Sequence, residues 1–270
     1  MKSSSAAFHG SIPEYYDRHL GPAFFEPYAA DLISRLPARQ YGAILEIACG
    51  TGIVTRQLRD RLPIETRIVA TDLNRAMFEY AARKFKPGEK VEWQEADATV
   101  LPFADQEFDA VFCQYGFMFV PDKDAAFREA HRVLKSGGVL LFNVWDSLEH
   151  NEIPRLTHQT IASFFEQDPP RFYQVPFGYH DTDVARQSLQ NAGFAEVESF
   201  VVKLPCRSPS AHDFAIGLVR GNPVVMEIEE RGSVDVDTVI KAVANALTKR
   251  FGGGPIEATM QALVWRALRH

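Results

Sequence analysis

Residues 44–55 read Ile-Leu-Glu-Ile-Ala-Cys-Gly-Thr-Gly-Ile-Val-Thr, and the fold is decided there. A mostly apolar run carrying one acid, Glu46, leads into a turn of small residues, Ala48-Cys49-Gly50-Thr51-Gly52. A segment with helical periodicity starts at Ile53. Strand, tight turn and helix in this order make the opening βα unit of a nucleotide-binding sheet. Glycines suit such a turn because backbone N–H groups can approach a ligand where no Cβ intervenes.

The turn also constrains its ligand. A dinucleotide site reads G-x-G-x-x-G and seats a pyrophosphate on the helix N-terminus. Here Thr55 stands at the third glycine position. Glu46, just ahead of the turn, would repel a pyrophosphate and suits a ligand with a positive end. S-adenosylmethionine is such a ligand, with a sulfonium, an ammonium, a small carboxylate and no phosphate. Ala48, Gly50, Thr51 and Gly52 are its expected turn contacts. The Glu-x-x-x-Gly-x-Gly arrangement resembles the first motif of class I S-adenosylmethionine-dependent methyltransferases. That family usually has glycine where this chain has Ala48, so a methyl is expected to crowd the methionine end. The alternative is an ordinary βα turn with no ligand.

Outward from the turn, acids recur at strand ends. Helix 53–62 stops before Pro63, and strand 67–71 delivers Asp72, 72 − 52 = 20 residues past Gly52. That is about the spacing at which an acid at the second strand's end accepts from a ribose diol; the alternative is a helix N-cap. The spacing of Met77, Phe78, Ala81, Ala82 and Phe85 predicts an amphipathic helix over 75–85, and either Leu73 or Met77 is expected against adenine. Strand 90–95 ends at Ala96-Asp97-Ala98. There the Asp97 carboxylate is placed to accept from the adenine amine and the Ala98 N–H to reach a ring nitrogen. For Asp97 alone, a plain turn aspartate is the alternative.

Strand four, from Phe108, ends in Cys113-Gln114-Tyr115-Gly116-Phe117-Met118-Phe119, where cofactor and substrate are expected to meet. A helix over 124–135, stopped by Gly137-Gly138, and a fifth strand over 139–145 follow. Leu101-Pro102-Phe103, Phe108-Asp109 and Arg132-Val133-Leu134-Lys135-Ser136-Gly137-Gly138 are together similar to the ubiquinone/menaquinone-biosynthesis-like branch of small-molecule methyltransferases. Ser136 replaces that branch's usual proline. The resemblance covers residues 40–146. It implies a Rossmann-like α/β fold: a seven-stranded, mostly parallel sheet, helices on both faces, the last strand antiparallel. It implies a backbone carbonyl of Gln114, beside Tyr115, for the methionine ammonium, and a leading-helix tyrosine, Tyr15 or Tyr16, near the methionine end.

Around this core, residues 1–10 read as a loose arm. A helical, aromatic stretch over 12–36 is expected to break near Gly21-Pro22 and Pro27 and to act as a lid (11–36). Residues 147–180 are irregular and aromatic. A helix over 182–191 and a strand over 194–204 follow, and the final strand is read at 259–268. About fifty residues between those strands are too many for a plain loop. They hold helices near 212–219 and 237–251. With 147–180, the 207–257 insertion is expected to cap the sheet's C-terminal edge; a homodimer surface is the alternative. One domain spanning 1–270 is expected.

Bulk properties narrow the function. A chain of 270 residues with net charge −6 and no long basic run does not suit a nucleic-acid partner. Three distant cysteines, Cys49, Cys113 and Cys206, lack metal or disulfide spacing, and no metal is expected. Without a signal core or a spanning run, no membrane partner and a cytoplasmic location are expected. Methyl transfer needs alignment more than acid–base catalysis. His180, after the aromatic stretch and before a helix, is the candidate base should a neutral hydroxyl be the nucleophile. Aromatic residues over 15–28 and 164–179 suggest a small aromatic or apolar acceptor. The expected activity is therefore S-adenosylmethionine-dependent methylation (O-, N- or C-). The alternatives are a non-enzymatic S-adenosylmethionine-binding module and a nicotinamide-dependent oxidoreductase.

Overall fold

The computed structural model describes residues 7–270; residues 1–6 of the expected loose arm lie outside them. Seven strands form one sheet: β1 (Ala43–Ile47), β2 (Arg67–Asp72), β3 (Glu92–Glu95), β4 (Phe108–Gln114), β5 (Leu134–Trp145), β6 (Val197–Ser208) and β7 (Ile256–Leu268). Their order is β3-β2-β1-β4-β5-β7-β6. Pairing is parallel from β3 through β5, and only β7 runs against its neighbours β5 and β6. This is the Rossmann-like sheet the sequence implied. Strand order reverses between β1 and β4, and an open α/β sheet binds its ligand at the carboxyl ends beside such a reversal. Every residue of β1 is buried, as a central parallel strand covered on both faces requires.

Among the described residues ten α-helices accompany the sheet: α1 (Ile12–Tyr15), α2 (Glu26–Ser34), α3 (Ile53–Arg61), α4 (Arg75–Ala82), α5 (Lys123–Val133), α6 (Glu152–Ala162), α7 (Thr182–Asn191), α8 (Ala211–Arg220), α9 (Val224–Arg231) and α10 (Val236–Phe251). Right-handed crossovers put α3 and α4 on one face and α5 on the other. Helix α2 is tied across the sheet by Tyr28, whose hydroxyl donates to the Met260 carbonyl at 2.7 Å.

Four expectations need correction. The leading helix does not break at Gly21-Pro22: residues 16–25 continue it as a π-helix, and the Glu26 N–H donates to the Gly21 carbonyl five residues back. The wider π turn moves carbonyls off the i−4 position that a proline ring would strike. Pro27 opens α2 and does not end a helix. Helix α5 ends at Val133, before Gly137-Gly138, because Leu134 is already paired with Phe108 in the sheet. Its last carbonyls, including those of His131 and Arg132, take the Arg269 guanidinium as a cap. Finally, α9 lies between the two expected insertion helices.

Helix α8 sits against the π-helix through Gly217, where an added Cβ would come within 2.6 Å of His19 Cβ. Residues 7–10 are not loose in one respect: the Phe8 ring packs edge-on to Tyr16 and Phe119, at 6.0 and 5.8 Å between centroids.

Candidate active site

The turn after β1 is held to β2. The Cys49 N–H donates to the Thr71 carbonyl at 2.8 Å, and the Gly50 N–H donates to Asp72 Oδ2 at 2.9 Å. Ala48, Gly50 and Gly52 all have left-handed backbone, with φ of 54°, 54° and 77°. For Ala48 that conformation opposes its own Cβ, and the methyl fits only because residue 116 is glycine: a Cβ there would lie 2.5 Å from Ala48 Cβ.

Above the turn lies a cavity of about 480 Å³. Ten of the fourteen expected cofactor positions line it: Tyr16, Ala48, Gly50, Asp72, Leu73, Met77, Asp97, Ala98, Gln114 and Tyr115. Ile47, Asn74, Thr99, Phe119, Val120 and Asp122 join them, and so does Phe8, from the segment expected to be a loose arm. Asp72 is 6% exposed. Its second oxygen accepts the Asn74 N–H at 2.8 Å. Burial raises the Asp72 carboxyl above its ordinary value, against the lowering by the Asn74 and Gly50 amides. Asp97 is exposed and accepts from the Thr99 N–H and hydroxyl, the local turn that was its alternative reading. The Gln114 amide donates to the Phe25 carbonyl at 3.1 Å, tying the end of β4 to the leading helix.

Four expected cofactor positions lie off this cavity. Tyr15 stacks on His19 under the Arg220 guanidinium, so of the two tyrosines Tyr16 faces the site. The Glu46 carboxylate is 1% exposed and turns to the Thr55 hydroxyl, which donates to it at 2.5 Å. Desolvation raises that carboxyl from its ordinary value to about 8, against the lowering by the Thr55 hydroxyl. Thr51, within the turn, is buried. Gly52 is required by packing: a Cβ there would meet Ala81 Cβ at 2.9 Å. The candidate base His180 is exposed, with Nδ1 3.0 Å from the Phe177 carbonyl oxygen, and lines no cavity described here.

A second, smaller chamber of about 60 Å³ adjoins the first. The π-helix supplies Leu20, Phe24 and Phe25; the end of β5 supplies Trp145; residues 172–177 supply Phe172, Tyr173, Pro176 and Phe177; the α8 region supplies Leu218 and Asn222. Phe8, Tyr16, Tyr115 and Phe119 line both spaces. Tyr115 stacks on Trp145 at 4.0 Å.

A methyltransferase-domain family model matches residues 45–142. The ubiquinone/menaquinone biosynthesis C-methyltransferase UbiE of Escherichia coli is 31% identical over 180 residues, 60% of this chain and 70% of that protein. The chain belongs to the class I S-adenosylmethionine-dependent methyltransferases, on the ubiquinone/menaquinone-biosynthesis-like branch. It is an enzyme of the small-molecule type, and its methyl donor is S-adenosylmethionine. Among solved structures, the YcgJ protein of Bacillus subtilis shares the fold at TM-score 0.59 and 19% identity, over 90% of this chain and 97% of that one. A phosphoethanolamine N-methyltransferase 2 of Haemonchus contortus, solved with S-adenosyl-L-methionine, matches at TM-score 0.59 and 17% identity, over 95% of this chain and 56% of that one.

The larger cavity fits that cofactor. Among the described residues its wall carries the carboxylates of Asp72, Asp97 and Asp122 and no lysine or arginine, which suits a cation and disfavours a pyrophosphate. No helix among the described residues is long and apolar enough to cross a membrane.

Proposed function

We propose that this methyltransferase acts on a small, planar, uncharged acceptor held in the aromatic chamber, with the donor in the larger cavity. The supporting observation is the chamber wall. Among the described residues it carries no charged side chain, and its Tyr173 and Asn222 already donate to the Leu218 carbonyl. Such a wall favours an apolar ring and disfavours an ammonium or a phosphate.

Asp72 would hold the ribose diol, and Asp97, Ala98, Leu73 and Met77 would border the adenine. Tyr16 and the Gln114 carbonyl would border the methionine end. When bound, the cofactor supplies a methyl carbon made electrophilic by its sulfonium. The chain's own residues then align the acceptor and exclude water. With no base in the chamber, the acceptor enters as a neutral nucleophile already activated, such as an electron-rich ring carbon, whose proton leaves to solvent once the methyl is in place. The relative's name, C-methyltransferase, favours carbon. Helices α8–α10, with α6 and residues 147–180, serve on this reading as a cap within a single catalytic unit, since Leu218, Asn222 and Phe172 reach the chamber.

The test is incubation with methyl-labelled S-adenosylmethionine and a metabolite extract, followed by mass spectrometry. Label is expected on phenols, quinols or related ring compounds. Label confined to polar amines would overturn the reading.

A further inference from the structure

The two cavities share four rings, and one of the four is held differently from the rest. Tyr16 is inside a helix and stacks on Phe25 at 4.4 Å. Tyr115 is 4% exposed and fixed against Trp145. Phe119 closes a short 3₁₀ turn, its N–H donating to the Gly116 carbonyl at 3.0 Å. Phe8 arrives on a segment that is neither helix nor strand. Its ring is met edge-on by Tyr16, Phe119 and Phe172. Two residues later Gly10 has φ +64°, with open space where a Cβ would stand. Phe8 is thus the one shared ring that has no stacked partner and lies outside helix and strand, whereas Tyr16, Tyr115 and Phe119 stack on Phe25, Trp145 and Phe172.

We propose that Phe8 determines acceptor specificity by occupying the acceptor's place. The chamber of about 60 Å³ is too small for an aromatic acceptor while that ring stands between it and the donor cavity. With Phe8 turned out, the chamber and the donor cavity become continuous. The space released has the shape of a six-membered ring and is edged by Tyr16, Phe119 and Phe172. An acceptor ring takes the same edge-on contacts, in reach of the donor cavity. Acceptors are therefore screened by whether they can displace a phenylalanine, which selects flat rings over flexible chains. This rests on the chamber being the acceptor site.

The experiment uses 2-naphthol as probe with the full-length protein, in the presence of S-adenosylhomocysteine. Binding is read by calorimetric titration of 2-naphthol into the S-adenosylhomocysteine-loaded protein, and cofactor binding by a separate titration. Phe8→Ala is expected to lower the 2-naphthol Kd about tenfold, the worth of roughly one aromatic contact, because the probe no longer displaces a ring. Phe8→Leu should fall between. The melting temperature should fall by only a few degrees, since the same contact is lost from the fold, and cofactor affinity should move far less than the 2-naphthol Kd. Unchanged or weaker naphthol binding in Phe8→Ala would overturn the proposal, as would failure of both proteins to bind it. Failure of the wild type to bind the cofactor would instead overturn the reading of the larger cavity.

Discussion

Glu46 offers the sharpest test of how the site is built. Its carboxyl is sealed beneath the turn, with the Thr55 hydroxyl as its hydrogen-bond donor, and desolvation raises it from 4.5 to about 8. In the unfolded chain it ionises near the ordinary value. Between those limits the folded state keeps a proton that the unfolded state has lost, so stability falls as pH rises. The contribution is intact below pH 4.5, declines up to about pH 8 and is flat above. The interval is 8 − 4.5 = 3.5 units, and at about 1.4 kcal/mol per unit the ceiling on the loss is about 5 kcal/mol.

Glu46→Gln removes the titration and keeps the shape and an acceptor for Thr55. Urea unfolding of both proteins from pH 5 to pH 8 isolates this one group, because every other group titrates in both. The curves are expected to lie close at pH 5 and to separate steadily. By pH 8 the variant should be more stable by roughly 2–5 kcal/mol. Parallel curves would refute the buried neutral carboxyl. A variant that loses stability relative to wild type as pH rises would show an ionised Glu46 that the fold favours.

Two further predictions concern the turn. Gly116→Ala places a Cβ 2.5 Å from Ala48 Cβ and 2.6 Å from Cys113 Sγ, an overpacking expected to cost about 1–3 kcal/mol in urea unfolding. Adding Ala48→Gly should recover a measurable part of that loss, and strictly additive effects would disprove the contact. Asp72→Asn should weaken S-adenosylmethionine binding about tenfold or more in calorimetry, and wild-type affinity would remove its ribose role. The Asp72→Ala change should also destabilise the fold by about 1–3 kcal/mol, since it leaves the Gly50 and Asn74 amides without their acceptor.

What could be read from sequence follows the length scale of the signal. The turn over 48–52 and Asp72 are fixed by spacing within one βα unit, and both stand where that spacing put them. The same pattern does not say which way a strand's last side chains turn. Glu46 accepts from Thr55, and the acids on the cavity wall are Asp72, Asp97 and Asp122. The end of α5 was misread because its cap, Arg269, lies more than 130 residues away. The π-helix was misread because Gly21-Pro22 signals a break only when backbone follows i−4 bonding.

The donor cavity and the aromatic chamber differ in this same way, and the difference has a functional consequence. Apart from Phe8 and Tyr16, the donor cavity is drawn from residues 47–122, a stretch overlapping most of the family match at 45–142. The chamber is assembled from segments as distant as Phe8, Phe24, Met118, Trp145, Phe172, Leu218 and Met260. No spacing rule links them, so on the proposed reading the chamber residues outside the four shared rings can change without altering the wall of the larger cavity. Substitutions at Trp145, Phe172 or Leu218 should therefore change which acceptor is bound while leaving cofactor affinity intact.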